Sequence, residues 1–403
     1  MGWHREITRD QWRVLAAALL GWMLDAMDVM LYAFALTAIR DEFGMTSGGA
    51  GALVSVTLIA SAIGGVGFGI LADRLGRARA LVYSILTYSV FTAFTATAGS
   101  IWELALWRTL VGFGLGGEWS AGSVLVAETW PAQHRGKAIG IMQSGWAIGY
   151  ILAALLAAAV IPRWGWRMLF VAGVAPALLA LWIRRAVPEP EIWRRKREHR
   201  TPLSALWRPD IRRNGAIAAA MATTLLFAYW GLFTWIPAYL ASPVERGGAG
   251  MSLVRSSAWI VPMQTGAFFG YLLFGFLADR FGRRPVFLFF VLAAAAVTPA
   301  FGLSGSHPGA LLILGPLVGF FGHGYFSVFG AMLAELFPST IRATAQGLCY
   351  NVGRAASAFA PFVIGTLADS IGVGAALAFT ALFFLASTGF ILLLPETRGE
   401  ALA

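Results

Sequence analysis

Five ionisable residues lie deep inside apolar stretches of this chain: Asp25, Asp28, Arg108, Glu118 and Arg354. A charged side chain at the centre of a membrane helix costs about 2.5–3.5 kcal/mol on insertion scales, so we expect these residues to be functional. Three acids face two arginines. If both arginines are paired, one carboxylate keeps no fixed counter-charge and can bind and release a proton. The set therefore predicts proton-coupled handling of an anion.

The composition indicates a membrane protein. Of 403 residues, 58% are apolar and only 12% are charged, against about 25% charged in a soluble domain. The single cysteine, Cys349, excludes a disulfide framework and a cysteine-based metal site. No phosphate-binding G-x-x-x-x-G-K-[ST] loop occurs, which excludes an ATP-driven pump, and no metal or cofactor is expected.

Twelve continuous apolar stretches are long enough to cross a bilayer, which takes about 20 residues. They are rich in Ala and Leu and do not alternate, so helices are favoured over a barrel. No cleavable signal peptide is expected. Numbered as spans 1 to 12, the stretches are 12–38, 49–72, 80–98, 101–125, 138–160, 167–187, 214–241, 253–278, 286–304, 309–334, 343–368 and 372–394.

The basic residues predict the orientation of these spans. With the N-terminus inside, 23 of the 30 Lys and Arg fall in inner segments and five in outer ones. Because inner loops of membrane proteins are enriched in Lys and Arg, both chain ends are expected in the cytoplasm. The net charge of +10 is then explained by the basic inner loops and their contact with anionic lipid. No nucleic-acid partner is expected.

The chain repeats itself. Residues 69–77 (GILADRLGR) match residues 275–283 (GFLADRFGR), and Pro188-Glu189 matches Pro395-Glu396 at nearly the same offset. A charged inner loop separates the two halves. We therefore expect an N-terminal six-helix bundle over 1–187, a linker over 188–213 and a C-terminal bundle over 214–403. Duplicated halves around a central site suit alternating access.

The paired G-x-L-A-D-R-x-G-R loops, the paired E-x6-R segments and the closing Pro-Glu-Thr-Arg-Gly resemble the major facilitator superfamily. The resemblance covers nearly the whole chain. It implies an all-α membrane protein of twelve helices in two pseudo-symmetric bundles, working as a secondary transporter by rocker-switch motion. It also implies a multi-pass protein of the inner membrane, and we expect a monomer.

The repeated loops predict an inner latch. A carboxylate at the end of one helix can face the N-terminus of another, where the helix dipole favours anions. The latch would form when the protein opens outward and break when it opens inward. The alternative is that these charges only end helices and set topology. The residues are Asp73, Arg77, Glu128, Arg135, Asp279, Arg283, Glu335 and Arg342.

Proton coupling is assigned to Asp25, Asp28, Glu118 and Arg108. The two aspartates share one face of span 1, and the run resembles the D-x-x-D of proton-coupled organic-acid carriers. Alternatively they cap a broken helix or hold a neighbouring one. Glu118 could instead serve the inner latch. The resemblance links Arg108 to proton transfer, although it could pair structurally with Glu103 or Asp25.

Substrate binding is assigned first to Arg354, because a guanidinium at mid-membrane can grip a carboxylate with two hydrogen bonds. The alternative is a permanent pair with an aspartate of span 1. Aromatic and polar residues would complete the site, although each could equally be packing, and His323 a satisfied buried imidazole. They are Asn351, Tyr32, Gln143, Trp146, Tyr150, Tyr229, Trp230, Trp259, Gln264 and His323.

The resemblance extends to sugar porters, whose span 7 carries a paired glutamine and a downstream asparagine. Residues 223–237 here (TTLLFAYWGLFTWIP) contain neither. Unpaired sugar hydroxyls would be costly in such a site. A proton symporter of a small organic carboxylate, either a mono- or aromatic carboxylate or a sialate-like sugar acid, is therefore favoured. A sugar or polyol symporter comes second and a drug–proton antiporter third. A receptor or a membrane enzyme is less favoured than any of these.

Overall fold

The computed structural model describes residues 6–131, 135–174, 176–189, 208–327, 332, 336–337 and 342–396. Across these ranges the chain is helical and contains no strand. Seven helical runs are by themselves long and apolar enough to cross a membrane. Every predicted span contains helix, in keeping with an all-α membrane architecture.

In the first half, four spans are single helices: Arg9–Phe43, Ser47–Leu75, Arg77–Thr95 and Ile101–Thr129. Spans 5 and 6 are formed by Arg135–Ala172 and Pro176–Ala186. Gly165 breaks the longer of these helices with φ 75° and ψ 175°, a backbone conformation that residues with a Cβ rarely adopt. The break lies between the predicted end of span 5, at residue 160, and the predicted start of span 6, at residue 167.

In the second half, span 7 begins at Pro209, five residues before its predicted start, because proline suits the first turn of a helix. Spans 7, 11 and 12 each consist of two consecutive helices. The helices of spans 7 to 12 are Pro209–Phe233 with Ile236–Ala241, Leu253–Phe281, Arg283–Gly302, Pro308–Gly324, Arg342–Ser357 with Ala360–Ile371, and Val373–Phe379 with Ala381–Leu393.

Glycines let the helices approach closely. Gly112 in span 4 lies so near the carbonyl of Thr57 in span 2 that a Cβ would collide with it. In the other half, Gly319 of span 10 lies in the same way against Met263 of span 8. Close backbone approach of this kind is the usual role of small residues in membrane helices. The Gly-rich run at 112–117 therefore packs helices.

The repeated Pro-Glu pairs have the same structural role in both halves. The carboxylate of Glu189 accepts hydrogen bonds from the backbone N–H groups of Arg77, Ala78 and Arg79, at 2.6, 3.2 and 3.1 Å. Glu396 accepts the equivalent bonds from Arg283 and Arg284, at 2.8 and 3.0 Å. Each glutamate thus caps the N-terminus of span 3 or span 9, where unsatisfied N–H groups and the helix dipole attract a carboxylate.

Glu189→Ala is expected to lower stability by about 1–2 kcal/mol, because three N–H groups lose their acceptor. For a bundle of this size, each kcal/mol of lost stability lowers the melting temperature by about 2–4 °C. The melting temperature is measured in detergent. Glu189→Gln should lower stability less, because an amide oxygen can still accept hydrogen bonds from these N–H groups. Glu245→Gln, on an exposed outer turn, is the control. An unchanged melting temperature in Glu189→Ala would contradict the capping role.

A surface ion pair joins the C-terminal end of span 1 to the start of span 6. Arg167 donates two hydrogen bonds to the carboxylate of Glu42, at 2.8 and 2.7 Å, and Trp166 donates a third at 2.7 Å. The hydrogen bonds from Arg167 lower the pKa of Glu42. The contribution of this contact to stability is therefore present at neutral pH and is lost as the pH falls through the lowered pKa.

Candidate functional site

Both aspartates of span 1 are buried. Asp25 is 1% exposed and Asp28 is fully buried. Asp28 Oδ1 accepts a hydrogen bond of 2.6 Å from the hydroxyl of Thr92 in span 3. One oxygen of each acid, Oδ1 of Asp25 and Oδ2 of Asp28, has no partner among the described residues. A buried carboxyl with an open oxygen can exchange a proton when its surroundings change.

Arg108 of span 4 lies at the same level. Its guanidinium carbon is 5.0 Å from the centroid of the Tyr32 ring, a cation–π contact. The acid that acts electrostatically on Arg108 is Asp28. Glu103 instead accepts a hydrogen bond of 2.8 Å from Gly99 at the start of its own helix. Nε and Nη1 of Arg108 have no hydrogen-bond partner in the described part of the chain.

Arg354 comes from the other half, in span 11, and is 4% exposed. Its positive charge acts on Asp25. Within the described residues it forms no ion pair at 4 Å or less, and its Nε has no partner. The permanent ion pair left open by the sequence is therefore absent from this conformation. Each arginine faces an aspartate without closing a contact, which leaves both guanidinium groups able to bind a ligand.

A small cavity between the two halves brings these residues together. Spans 1, 2 and 4 line it on one side, and spans 7 and 11 on the other. It measures about 20 Å³, which is room for a water molecule and too little for an organic acid. The lining residues are Val29, Met30, Tyr32, Ala33, Val54, Thr57, Leu58, Ser61, Arg108, Leu115, Trp230, Thr234 and Arg354.

Glu118 lies next to this cluster. It is fully buried against Gly21 of span 1, and the charge that acts on it is that of Asp25. Both of its carboxylate oxygens lack a hydrogen-bond partner within the described chain. This position is inside the bundle, between spans 1 and 4. Glu118 is the buried acid on which no arginine acts.

An aromatic cluster joins the two halves beside the cavity. The ring of Trp146 in span 5 lies 4.7 Å from Trp22 and 6.1 Å from Trp230, between centroids, and 6.4 Å from Tyr229. The indole nitrogens of the three tryptophans have no hydrogen-bond partner in the part of the chain described. Flat apolar walls with free N–H groups suit an unsaturated organic ligand.

Several predicted ligands are occupied by the protein itself. His323 Nε2 is 3.3 Å from the hydroxyl of Tyr229, and its Nδ1 is 3.1 Å from the carbonyl of Gly319. Both ring nitrogens are thus satisfied, as the packing alternative expects. The hydroxyl of Tyr150 donates to the carbonyl of Phe233, at 3.0 Å, and joins the two halves.

The remaining predicted ligands do not line the cavity. Gln264 is fully buried, and neither of its amide atoms has a partner among the residues described. The side-chain oxygen of Gln143 is also unpaired there. The amide of Asn351 lies against Gly65 of span 2. Trp259 is half-buried, with the guanidinium of Arg255 5.0 Å from its ring centroid.

Comparison with known proteins decides the family. The profile of the Major Facilitator Superfamily matches residues 18–262 and 248–402. The chain belongs to this superfamily. It is therefore a multi-pass membrane transporter and not an enzyme, in agreement with the resemblance of its loop motifs.

Two relatives within the superfamily are similar over most of their length. One is the probable 4-methylmuconolactone transporter of Cupriavidus pinatubonensis, 37% identical over 99% of this chain and 94% of that protein. The other is the cis,cis-muconate transport protein of Acinetobacter baylyi, 36% identical over 89% and 88%. The solved structure of a D-xylose–proton symporter has a TM-score of 0.78 at 20% identity, covering 97% of this chain and 99% of that one. This structure confirms the superfamily fold.

The superfamily loops are described only in part. Arg77 Nη2 is 3.5 Å from Glu128 Oε1. The backbone of Arg283 is held by Glu396. Gating by these residues stays a prediction. The other predicted latch side chains, Asp73, Arg135, Asp279, Glu335 and Arg342, lie outside the described part of the molecule.

A contact at one end of the helices joins the two halves of this superfamily transporter, on the side that the basic loops predict to be the outer one. Asp369, near the end of span 11, accepts hydrogen bonds from the backbone N–H groups of Ser47 and Gly48 at the start of span 2, at 3.4 and 3.1 Å. Gly51 of span 2 packs directly on the carbonyl of Pro361. A carboxylate at a helix N-terminus is stabilised by the helix dipole. Asp369 could not be predicted from the sequence, because its partner belongs to the other half.

Asp369→Asn should favour the outward-open state about fivefold, because the charge–dipole attraction of about 1 kcal/mol exists only in the closed state. Spin labels at the exposed residues Thr97 and Ser306, in a Cys349→Ser background, would report the distance across the outer face. Asp10→Asn, at an exposed pair with Arg13, is the control. An unchanged distance distribution would show that the contact does not hold the outer side closed.

Other residues missed from the sequence are Thr92, which donates to Asp28, and the cavity hydroxyls of Thr57, Ser61 and Thr234. A hydroxyl in a membrane helix carries no signal of its own, since it can bond to its own backbone. Trp22 could have been found, because it lies three residues before Asp25 and so shares its helix face.

Proposed function

We propose that this protein is a proton-coupled symporter of a small organic carboxylate, working by alternating access. The proposal depends chiefly on Arg354, a buried guanidinium that lines the central cavity without an ion pair among the described residues. An arginine in a dry site binds a carboxylate through two parallel hydrogen bonds. Because Arg354 comes from one half and most of the cavity from the other, bound substrate would contact both halves.

The walls of the site favour an acid with an unsaturated or aromatic body. Tyr32 and Trp230 line the cavity together with aliphatic side chains, and Trp146 extends the aromatic surface. The two bacterial relatives are named for muconate and methylmuconolactone, both compact unsaturated organic acids or their derivatives. A polyol would find few free side-chain amides here, which makes a sugar substrate the weaker alternative.

Proton coupling is assigned to the buried acids. Asp25 faces Arg354 and Asp28 faces Arg108, whereas no arginine acts on Glu118. An aspartate that takes up a proton no longer compensates its arginine, and the freed guanidinium attracts the substrate anion. Release of the proton would reverse this step. Proton and anion would therefore bind with positive coupling, which is the condition for symport.

The small cavity and the closed outer side indicate an occluded or inward-directed state. The site must widen before an organic acid can enter, and the predicted inner loops would control that opening. We place the protein in the inner membrane with both termini in the cytoplasm, as the basic loops predict. We propose that the protein works as a monomer.

The test is uptake into proteoliposomes under an imposed pH gradient, with a panel of aromatic and aliphatic carboxylates, sialic acid and neutral sugars. We expect uptake of one or more carboxylates that is driven by an acidic exterior and abolished by a protonophore. Empty liposomes are the control for passive entry of the protonated acid. Uptake of neutral sugars alone, or carboxylate uptake that ignores the pH gradient, would reject the proposal.

A further inference from the structure

Two guanidinium groups line one cavity, and they belong to different halves of the protein. Arg108, in span 4, and Arg354, in span 11, are 2% and 4% exposed. Neither forms an ion pair at 4 Å or less with any described residue. Arg108 leaves Nε and Nη1 without partners, and Arg354 leaves Nε. Buried N–H groups of a cation are costly to leave unpaired, so they mark the positions of missing acceptors.

Each of the two cavity arginines interacts electrostatically with one aspartate. Asp28 acts on Arg108, and Asp25 acts on Arg354. The other titratable groups nearby are Glu118, on which no arginine acts, and three phenols: Tyr32 under Arg108, Tyr350 near Arg354 and Asp25, and Tyr88 near the buried acids. When both aspartates are protonated, two buried cations remain uncompensated. One carboxylate can compensate only one of them, whereas two carboxylates compensate both.

Much of the cavity wall is apolar. Met30, Leu58 and Trp230 line it, and the hydroxyls of Thr57 and Ser61 donate to carbonyls of their own helix. A hydroxylated spacer would find few partners on these walls, and a hydrocarbon or unsaturated spacer would lose nothing by burial.

Resting on the proposed function, we infer that the substrate is a dicarboxylate whose two carboxylates bind Arg108 and Arg354, one in each half. Arg108 is then a substrate ligand in addition to any part in proton transfer. A ligand that bridges the halves favours the state in which they are close together, so a diacid also promotes closure around itself. A monocarboxylate would leave one arginine without an anion.

The experiment compares each diacid with its own monomethyl ester, which has almost the same size and shape but one charge less. Muconate, terephthalate and adipate, with their monoesters, span different spacers. Affinity is measured with the purified full-length protein by quenching of tryptophan fluorescence, and uptake is measured in proteoliposomes. At least one diacid should bind about tenfold more tightly than its monoester, the effect of one charge-assisted contact.

Arg108→Gln tests the assignment of the second carboxylate. The ratio of diacid to monoester affinity should fall to about 1, because the ester and the unpaired carboxylate then meet the same neutral amide. Arg163→Gln, at an exposed arginine that donates to the carbonyl of Ala159, should keep the wild-type ratio. A ratio that Arg108→Gln leaves at the wild-type value would overturn the inference.

The two proposals fail in different ways. If monoesters and simple monocarboxylates bind as tightly as the diacids, and are accumulated under a pH gradient, the dicarboxylate inference is wrong and organic-acid symport stands. If only neutral solutes are taken up, both are wrong. A diacid preference in binding without pH-driven uptake would support the two-arginine site and reject the proton coupling.

Discussion

Asp28→Asn is expected to abolish pH-driven accumulation of substrate while retaining substrate exchange. The carboxyl group of Asp28 is fully buried, accepts a hydrogen bond from Thr92 and faces Arg108. Asparagine keeps this shape and can still accept that hydrogen bond, but it cannot carry a proton. One coupled proton supports about a tenfold concentration ratio per pH unit, and this ratio should fall to about 1 in the variant.

Exchange should persist, because it moves substrate in both directions without net proton movement. The neutral amide resembles the protonated acid, which is the form that carries substrate across. The measurement compares net uptake under a pH gradient with exchange of labelled against unlabelled substrate in the same proteoliposomes. Asp10→Asn, at an exposed surface pair, is the control. Retained accumulation would show that the proton binds at Asp25 or Glu118 instead.

Arg354→Lys is expected to raise the Kd of the substrate by about 10–100-fold, because an ammonium group cannot reproduce the two parallel hydrogen bonds of a guanidinium. Arg354→Gln also removes the charge, and uptake should then be lost. Arg354→Lys keeps the positive charge but loses the two parallel hydrogen bonds. If Arg354 acted only through its charge, the lysine variant would bind substrate normally. Arg163→Lys, at an exposed position of the helix Arg135–Ala172, is the matched control.

The readout must distinguish binding from folding, since an uncompensated aspartate can destabilise the bundle. Melting temperature without substrate reports folding, and its rise on adding substrate reports binding. We expect a near-normal melting temperature in Arg354→Lys and little rise with substrate. A wild-type rise, together with wild-type uptake, would show that Arg354 does not bind substrate and that the proposed substrate site lies elsewhere.

The positions of the helices could largely be predicted from the sequence. A membrane-spanning stretch is a local property of about 20 consecutive residues, so the twelve spans and the two repeated halves are visible without any tertiary contact. The positions at which a span is broken into two helices were harder to predict from the sequence. Spans 11 and 12 are each divided into two helices, Arg342–Ser357 with Ala360–Ile371 and Val373–Phe379 with Ala381–Leu393, and composition alone does not mark these breaks.

The candidate site could be predicted as a set of residues and not as an arrangement. Charge in an apolar stretch singled out Asp25, Asp28, Arg108, Glu118 and Arg354, because their cost in a membrane depends only on their own surroundings. The structure buries all five. The partners were open in the sequence, where Arg108 could pair with Glu103 or Asp25, whereas the folded chain sets it against Asp28.

The sequence by itself determined the membrane class, the twelve spans, the duplication and the buried charges, because each depends on composition or spacing along one segment. Only the tertiary structure decided that Arg108 and Arg354 share a cavity, that Glu189 and Glu396 cap helices, and that Asp369 joins the start of span 2. Each of these contacts joins residues more than 100 positions apart. Their meeting depends on how each helix is rotated and packed, which no local pattern encodes.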